Sequence, residues 1–359
     1  MKVAFITRSS LFSSTGGDTI QVMNTARYLE ESGVTVDIKL TNERINYKEY
    51  DLLHFFNLIR PADILPHVRK SAQPFVVTPL LINYSEFDKQ YRKGISGKVF
   101  SFFCADQIEY LKTIARWIRR QEYPRSFAFL VKGQRQSVKD ILRKAAMVLP
   151  NSQMEYEYLS NCYGIKKPYV NIPNGIEPKL FTPFLIDKEP KMVLCVARIE
   201  GLKNQINLIR ALNNTEYQLY IIGKATINQK NYYEECQKIA AKNIHFIKHL
   251  SQEELLPFYR KAKVHVLPSW FETCGLSSLE AAAMHCAIVI TRKGYASEYF
   301  QNNAFYCDPS SPESIKEAVD KASASGTLDK KFQQKIRSEF TWQNAALKTY
   351  EAYRKILLS

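Results

Sequence analysis

Short apolar runs recur along the chain, and the segments between them keep apolar residues at helical spacing. In the first half, Val3 to Ile6, Thr35 to Leu40, Asp51 to Phe56 and Pro74 to Thr78 read as buried parallel strands, and Val148 to Asn151 as a further strand end. Between the first two, Val22, Met23, Ala26 and Leu29 line one helix face until Gly33 stops it, which makes a βαβ opening. A second series follows with Met192 to Ala197, Gln218 to Ile222, Ile244 to Ile247, Val264 to Leu267 and Ala287 to Thr291. Two such series predict an α/β protein with two parallel sheets. The turn Pro173-Asn-Gly175 and the prolines Pro178, Pro183 and Pro190 mark the boundary, so the expected domains are 1–178 and 179–341. Trp342 to Leu358 reads as a closing helix with Ala346, Tyr350, Tyr353 and Ile356 on one face, and periodicity leaves it able to cap either domain.

Length agrees, because 359 residues exceed one ordinary core. No window holds the roughly 18 uninterrupted apolar residues of a membrane span. The opening Lys2 to Arg8 reads as a strand bounded by charge and not as a signal peptide, so a cytoplasmic protein is expected. Seven cysteines without a C-x-x-C pair indicate neither a disulfide framework nor a zinc site.

The net charge of +15 calls for an acidic partner: nucleic acid, an anionic membrane or a phosphorylated substrate. Much of it falls between Lys112 and Lys144, where Lys112, Arg116, Arg119, Arg120, Arg125, Lys132, Arg135, Lys139, Arg143 and Lys144 face only Glu122 and Asp140. Val99, Phe100, Phe102, Phe103, Trp117, Phe127, Phe129 and Leu130 precede and interleave with these cations. Region 99–144 therefore reads as an amphipathic surface for anionic lipid, or equally as a solvated helix face over a local core. No helix-turn-helix, RRM or zinc pattern accompanies the charge, so no specific nucleic-acid partner is expected.

The chemistry concentrates in Pro268-Ser-Trp-Phe-Glu-Thr-Cys-Gly-Leu-Ser-Ser-Leu-Glu-Ala-Ala-Ala283. A strand ends at Pro268, and Ser277 to Glu280 has the S-x-x-E spacing of a capping box that opens a helix. The free N–H groups of such a turn bind anions, here against Gly275, Leu276 and Ser277. Glu272 in the turn and Glu280 in the helix suit sugar hydroxyls, so together the groups suggest a sugar nucleotide. A cap accounts for Glu280 equally well at this stage, through the Ser277 backbone N–H. Arg198 and Lys203 follow the first strand of the second series, where two cations can neutralise a diphosphate. Gly16 and Gly17 let backbone approach a ligand, although a flexible loop explains them almost as well. No G-x-G-x-x-G occurs, which removes the usual support for a nicotinamide or flavin. Asn83, Tyr84, Glu86 and Asp88 follow another strand and read as substrate contacts or as ordinary loop polar groups. Cys274 lies inside the motif, but no base for a nucleophile is identifiable.

Over essentially its whole length the chain resembles the retaining GT-B glycosyltransferases of glycosyltransferase family 4. The family's P-S-x-x-E-G-F-G-L-x-x-x-E-A appears as Pro268-Ser-Trp-Phe-Glu272-Thr-Cys-Gly275-Leu-Ser-Ser-Leu-Glu280-Ala, G-R-x-x-x-x-K as Ala197-Arg198 to Lys203, and P-N-G-[IV]-[DE] as Pro173-Asn-Gly-Ile-Glu177. The resemblance implies two Rossmann-like domains facing each other across a donor-binding cleft, the first for the acceptor and the second for the donor, with helix 342–359 crossing back onto the first. It implies a hexosyltransferase in cell-surface polysaccharide or glycoconjugate synthesis, and the basic aromatic region 99–144 with the net charge adds the expectation of peripheral contact at the inner face of the cell membrane. The implied donor is a UDP- or GDP-linked sugar and the acceptor a glycan or lipid-linked molecule, with no metal or other cofactor required. Arg198 and Lys203 would stabilise the leaving diphosphate, Glu272 would contact the donor sugar near the reacting face, and these three form the implied catalytic set. Glu280 would hold the ribose, and Thr273, Cys274, Gly275, Leu276 and Ser277, with Gly16 and Gly17, would complete the donor cradle. Asn83, Tyr84 and Glu86 would lie on the acceptor side. Two departures stand out: the family's E-G-F-G is E-T-C-G here, and Thr78-Pro79-Leu80 lacks the histidine that many relatives carry after that strand. They motivate one alternative, a catalytically silent glycosyltransferase-like binding subunit.

Overall fold

The computed structural model describes residues 1–91, 100–119, 126–182, 188–325 and 329–358. Its contacts divide the chain into two compact units, Met1–Asn174 with Trp342–Ser359, and Gly175–Thr341.

The first unit runs β1 (Lys2–Thr7), α1 (Gly17–Glu31), β2 (Thr35–Leu40), β3 (Leu52–Phe56), α2 (Pro61–Lys70), β4 (Phe75–Thr78), α3 (Ala105–Ile118), α4 (Phe127–Lys144), β5 (Met147–Val148) and α5 (Gln153–Tyr163). The strands form a parallel sheet in the order β2-β1-β3-β4-β5. Every residue of β3 and β4 is buried, which is why these strands read as apolar runs, broken only by His54 in β3 and ended by Thr78 in β4: helices cover both faces of a parallel sheet. The chain leaves β1 for β2 on one side and returns to β3 on the other, so the sheet's switch point lies between β1 and β3.

The closing helix, Trp342–Leu357, belongs to this unit and rests on α1. It buries Trp342, Ala345, Ala346, Thr349, Ala352 and Tyr353, so of the expected face Ala346 and Tyr353 are buried while Tyr350 and Ile356 are only half-buried. Small side chains let the helix approach its neighbour closely, which a search for large apolar residues misses. Tyr353 hydroxyl meets His54 Nδ1 at 2.6 Å, and His54 Nε2 meets Thr78 Oγ1 at 2.7 Å, so one buried imidazole ties β3, β4 and the closing helix together.

The second unit runs β6 (Glu189–Val196), α6 (Gln205–Leu212), β7 (Gln218–Ile222), α7 (Lys230–Ile239), β8 (Ile244–Ile247), α8 (Gln252–Lys261), β9 (Ala262–Leu267), α9 (Leu276–Ala283), β10 (Ala287–Thr291), α10 (Ala296–Phe300), β11 (Phe305–Cys307), α11 (Pro312–Ala324) and α12 (Lys330–Ser338). Its parallel sheet has the order β11-β10-β9-β6-β7-β8. Alternate residues of β6 feed two core layers, Met192 and Leu194 joining Leu279, Ile290 and Phe300, and Val193 and Cys195 joining Leu208, Ile221 and Ile315. Strands are added outward from β6 first on one side and then on the other, so the switch point is between β6 and β9. The edge strand β11 has only three residues, too few to show a period in the sequence.

Among the described residues no helix is long and apolar enough to cross a membrane. Cys195, Cys236, Cys274, Cys286 and Cys307 are buried, as small core residues should be. The basic aromatic region divides in two. Trp117 and Phe129 are core residues packed edge to face at 5.7 Å, whereas Phe102 and Phe127 are 87% and 81% exposed. Lys112 pairs with Asp88 and Glu109, Lys132 and Arg143 with Asp140, and Arg135 with Asp106, so part of the charge is neutralised locally. Val99, Arg120, Glu122 and Arg125 of the expected surface, and Pro183 of the expected boundary, lie outside the described residues.

Candidate functional site

The exits of β6 and β9 flank the switch point of the second sheet, and the loops that leave them are fastened to each other. After β6 the chain makes a 3-10 turn at Gly201–Lys203 and enters α6 through Asn204, whose φ of 60° is left-handed. Asn tolerates that conformation because its short amide can bond locally. Here the Asn204 amide donates to Pro268 O at 3.0 Å and Pro309 O at 2.7 Å, and Trp270 N donates to Leu202 O at 2.9 Å. Gly223 supports the same corner, since a Cβ there would stand 1.9 Å from Ala197 O.

These fastenings set Lys203 against Glu272. Lys203 Nζ lies 2.7 Å from Glu272 Oε2, and Ser269 Oγ donates to the same oxygen at 3.0 Å. The Glu272 backbone is fixed as firmly: its N–H donates to Lys293 O at 3.0 Å and its carbonyl accepts from Tyr295 N at 2.8 Å. Between them, Gly294 has φ of 103°, and a Cβ there would stand 2.2 Å from Glu272 O, so only glycine fits. Arg198, the other expected cation, is more exposed and pairs with Glu200, Nη2 to Oε1, at 2.9 Å.

The turn after Glu272 ends at Gly275, which caps α9 in the left-handed conformation with φ of 69°. Gly275 O accepts from Ser278 N and Leu279 N at 2.8 and 2.9 Å. No side chain caps this helix. The expected capping box does not form, because the helix already opens at Leu276 and the Glu280 carboxylate turns inward to α8. It accepts from Gln252 Nε2 at 2.7 Å and from the Tyr259 hydroxyl at 2.9 Å. At 7% exposure Glu280 has lost most of its hydration, and burial pushes its carboxyl up to about 7 despite the two donors. Burial and the facing Glu280 together push the Tyr259 phenol well above its usual value. Ser278 Oγ meets His265 Nδ1 at 3.2 Å, joining α9 to β9, and burial holds that imidazole neutral by lowering it to about 3. Thr273, Leu276 and Ser277 are half-buried, whereas Cys274 packs in the core beneath the turn.

In the first unit, Gly16 is the N-cap of α1 and Gly17 its first residue. Gly16 is extended, with φ of −162°, and its N–H donates to Thr19 Oγ1 at 3.1 Å. The loop from β1 is organised by Arg8, which pairs with Asp18 at 2.6 Å and donates to Ser14 O at 2.6 Å and Ser10 O at 2.8 Å. Asn83 is engaged within its own turn, its Oδ1 accepting from Ser85 N at 3.0 Å and Ser85 Oγ at 2.6 Å. Tyr84 lies beneath Lys112 Nζ, 5.5 Å from its ring centre, and Glu86 is half-buried. Asn83 and Tyr84 line a small cavity of about 50 Å3 with Asp106, Glu109 and Tyr158.

The structure thus brings Lys203 and Glu272 into contact, seats Gly275 to Ser277 at an uncapped helix start, and points Glu280 at Tyr259 and Gln252. Asn204, Gly294, Ser269 and Arg8 were not singled out from sequence. Left-handed backbone and long-range contacts give Asn204 and Gly294 their roles, whereas Ser269 and Arg8 act through bonds two to ten residues away, and Ser269 lies inside the Pro268 to Ala283 motif.

Two parallel α/β sheets in separate units, the second with this site at its switch point, are the architecture of the GT-B fold. Sucrose-phosphate synthase from Thermosynechococcus elongatus has the same fold, with a TM-score of 0.78 at 16% identity over 100% of this chain and 99% of that one. HepE of Anabaena, in complex with UDP and glucose, gives 0.66 at 15% identity over 99% of each chain. The chain is 25% identical over 391 residues to mannosylfructose-phosphate synthase of Agrobacterium fabrum, covering 93% of this chain and 85% of that protein. Residues 177–339 match the model of the family glycosyl transferases group 1. Residues 177–339 thus carry a glycosyl transferases group 1 domain within a GT-B fold, and the protein is an enzyme that transfers sugar.

Proposed function

We propose that the enzyme transfers a sugar, with retention of configuration, from a nucleotide-diphosphate sugar to a glycan or lipid-linked acceptor in cell-surface polysaccharide or glycoconjugate synthesis. The observation that carries this reading is the Lys203–Glu272 pair at the exits of β6 and β9, next to the uncapped start of α9. In this reading unit 2 binds the donor. Its diphosphate draws Lys203 from Glu272 and Arg198 from Glu200, and the N–H groups of Leu276 and Ser277 add to the cradle. The released Glu272 carboxylate then accepts from donor-sugar hydroxyls. Glu280 accepts from the ribose hydroxyls, with Tyr259 and Gln252 fixing its orientation. As the glycosidic C–O bond breaks, negative charge grows on the leaving phosphate and positive charge on the sugar carbon, and the two preset cations stabilise the former. The reading assigns no metal. Within unit 1, Asn83, Tyr84 and Glu86 serve the acceptor.

HepE is described in complexes with UDP and with UDP-glucose, which supports a nucleotide-sugar donor and makes UDP the first base to test. Exposed Phe102, Ile118, Phe127 and Val131, with Arg119 and Lys132 nearby in the chain, support peripheral contact with anionic lipid at the inner face of the cell membrane. A thermal-shift screen against UDP-, GDP-, ADP- and CMP-sugars tests the donor, since binding stabilises the native state by mass action. One base class is expected to raise the melting temperature, and its sugar to yield nucleotide diphosphate when acceptor extract is added. No shift and no release with any of the four would refute the reading. For the membrane, co-sedimentation with phosphatidylglycerol vesicles should fall in Phe127→Ser and Val131→Ser, and unchanged binding would remove this surface.

A further inference from the structure

A basic concavity lies in unit 2, and Arg198, Lys203 and Glu272 do not line it. It has a volume of about 330 Å3 and is bounded by His285, Lys330, Gln333, Gln334, Arg337 and Ser338. Lys330 and Arg337 are seven residues apart on α12 and so project from the same side of that helix. Neither forms an ion pair among the described residues, and Arg337 Nε is buried without a hydrogen-bond acceptor. His285, with φ of 65°, turns the chain out of α9 and brings its imidazole to the same space. Behind it, the Lys188 ammonium is anchored on Tyr259 O and Met284 O, both at 2.7 Å. Burial lowers the basicity of His285, and the fields of Lys188, Arg337 and Lys330 lower it further. No carboxylate is among the described residues that line the space.

A concave surface with charge of one sign focuses its field on a counter-ion. The volume is at the low end of small-ligand sites, roughly 300 to 1,000 Å3, and exceeds what an inorganic anion alone would fill. Two cations suit a phosphate, while the exposed Gln334 amide suits organic hydroxyls. We propose that this pocket binds a phosphorylated small molecule, a phosphomonoester whose organic part is about the size of a monosaccharide. Arg337 and Lys330 hold its phosphate, and His285 adds a third donor from the end of α9. The proposal does not rest on the donor reading, because the residues involved are different.

Isothermal titration of the full chain with glucose 6-phosphate tests it, with inorganic phosphate as competitor and unphosphorylated glucose as control. Saturable binding is expected with the sugar phosphate, displacement by phosphate, and none with glucose. Arg337→Ala and Lys330→Ala should each weaken binding by about tenfold, as loss of one charge-assisted hydrogen bond implies, with the melting temperature of the free protein unchanged. Arg198→Ala should leave the affinity as it is. Absence of saturable binding would overturn the proposal, as would binding that Arg198→Ala weakens and the two α12 variants spare, since the phosphate would then lie at the donor groups.

Discussion

Lys203 Nζ and Glu272 Oε2, from the exits of two different strands, stand 2.7 Å apart and satisfy each other. Both side chains are largely buried, so the pair is more than a surface ion pair, and removal of either charge leaves the other without its main partner. Lys203→Met should cost about 2 to 3 kcal/mol in urea unfolding, below the full range for a buried pair because the lysine keeps some solvent. Sugar transfer should fall by about a hundredfold or more with it, since one of two cations on the leaving phosphate is gone. Glu272→Ala should spare nucleotide affinity, measured by titration, and lower turnover; normal turnover would remove Glu272 from the site.

Glu280 carries a pH signature. Burial raises its carboxyl to about 7 from an ordinary 4.5, so the folded state holds the proton more tightly than the unfolded chain does. Its stability contribution is therefore fully present below 4.5 and is lost as pH rises through 7, a penalty of about 3 kcal/mol at higher pH. Glu280→Gln should be more stable than the parent at pH 8 and equal to it near pH 4.5, while binding nucleotide far more weakly. Loss of stability at pH 8 with unchanged nucleotide affinity would return Glu280 to a purely structural role.

His54 and His265 act in the opposite sense. Burial lowers each to about 3, so both are neutral when folded, and their stability is fully present above the unfolded value of 6.5 and lost as pH falls toward 3. Each contributes up to about 5 kcal/mol across that window, which together outweighs the opposing Glu280 effect. Denaturant midpoints should drop steadily from pH 6.5 to pH 4, and His54→Gln or His265→Gln should flatten the slope. A parent whose stability is constant over that range would contradict the assignment.

Gly294→Ala addresses the support beneath Glu272. The added Cβ meets Glu272 O at 2.2 Å in a left-handed conformation, so the loop must move. A loss of about 2 kcal/mol or more is expected by denaturant titration, with sugar transfer reduced alongside it because Glu272 shifts from Lys203. Parent-like stability and activity would show that the loop adapts freely.

Much of the strand framework was legible because a parallel sheet covered on both faces needs largely apolar runs, as β4 and β10 have, with β3 broken only by His54 and β9 by Lys263 and His265. The site motif was legible for a related reason, since a strand exit, a left-handed Gly275 and an uncapped helix start need small and polar residues at fixed local spacing. Residue type alone misled where burial decides: Trp117 and Phe129 belong to the core while Phe102 and Phe127 face solvent, although all four are aromatic and lie in one basic stretch.

The sequence by itself determined the strands other than the three-residue β11, and which residue types gather after β6 and β9, because both follow from local periodicity and turn chemistry. Only the tertiary structure decided their partners. Ser277 to Glu280 has the local spacing of a cap, yet Glu280 bonds Tyr259 and Gln252, 21 and 28 residues away. Asn204 fastens two loops through Pro268 and Pro309, and Gly294 makes room for Glu272. Such pairings depend on which strands become neighbours in the sheet, and a sheet that grows outward in both directions from β6 brings β6 and β9 together across three intervening helices and two strands.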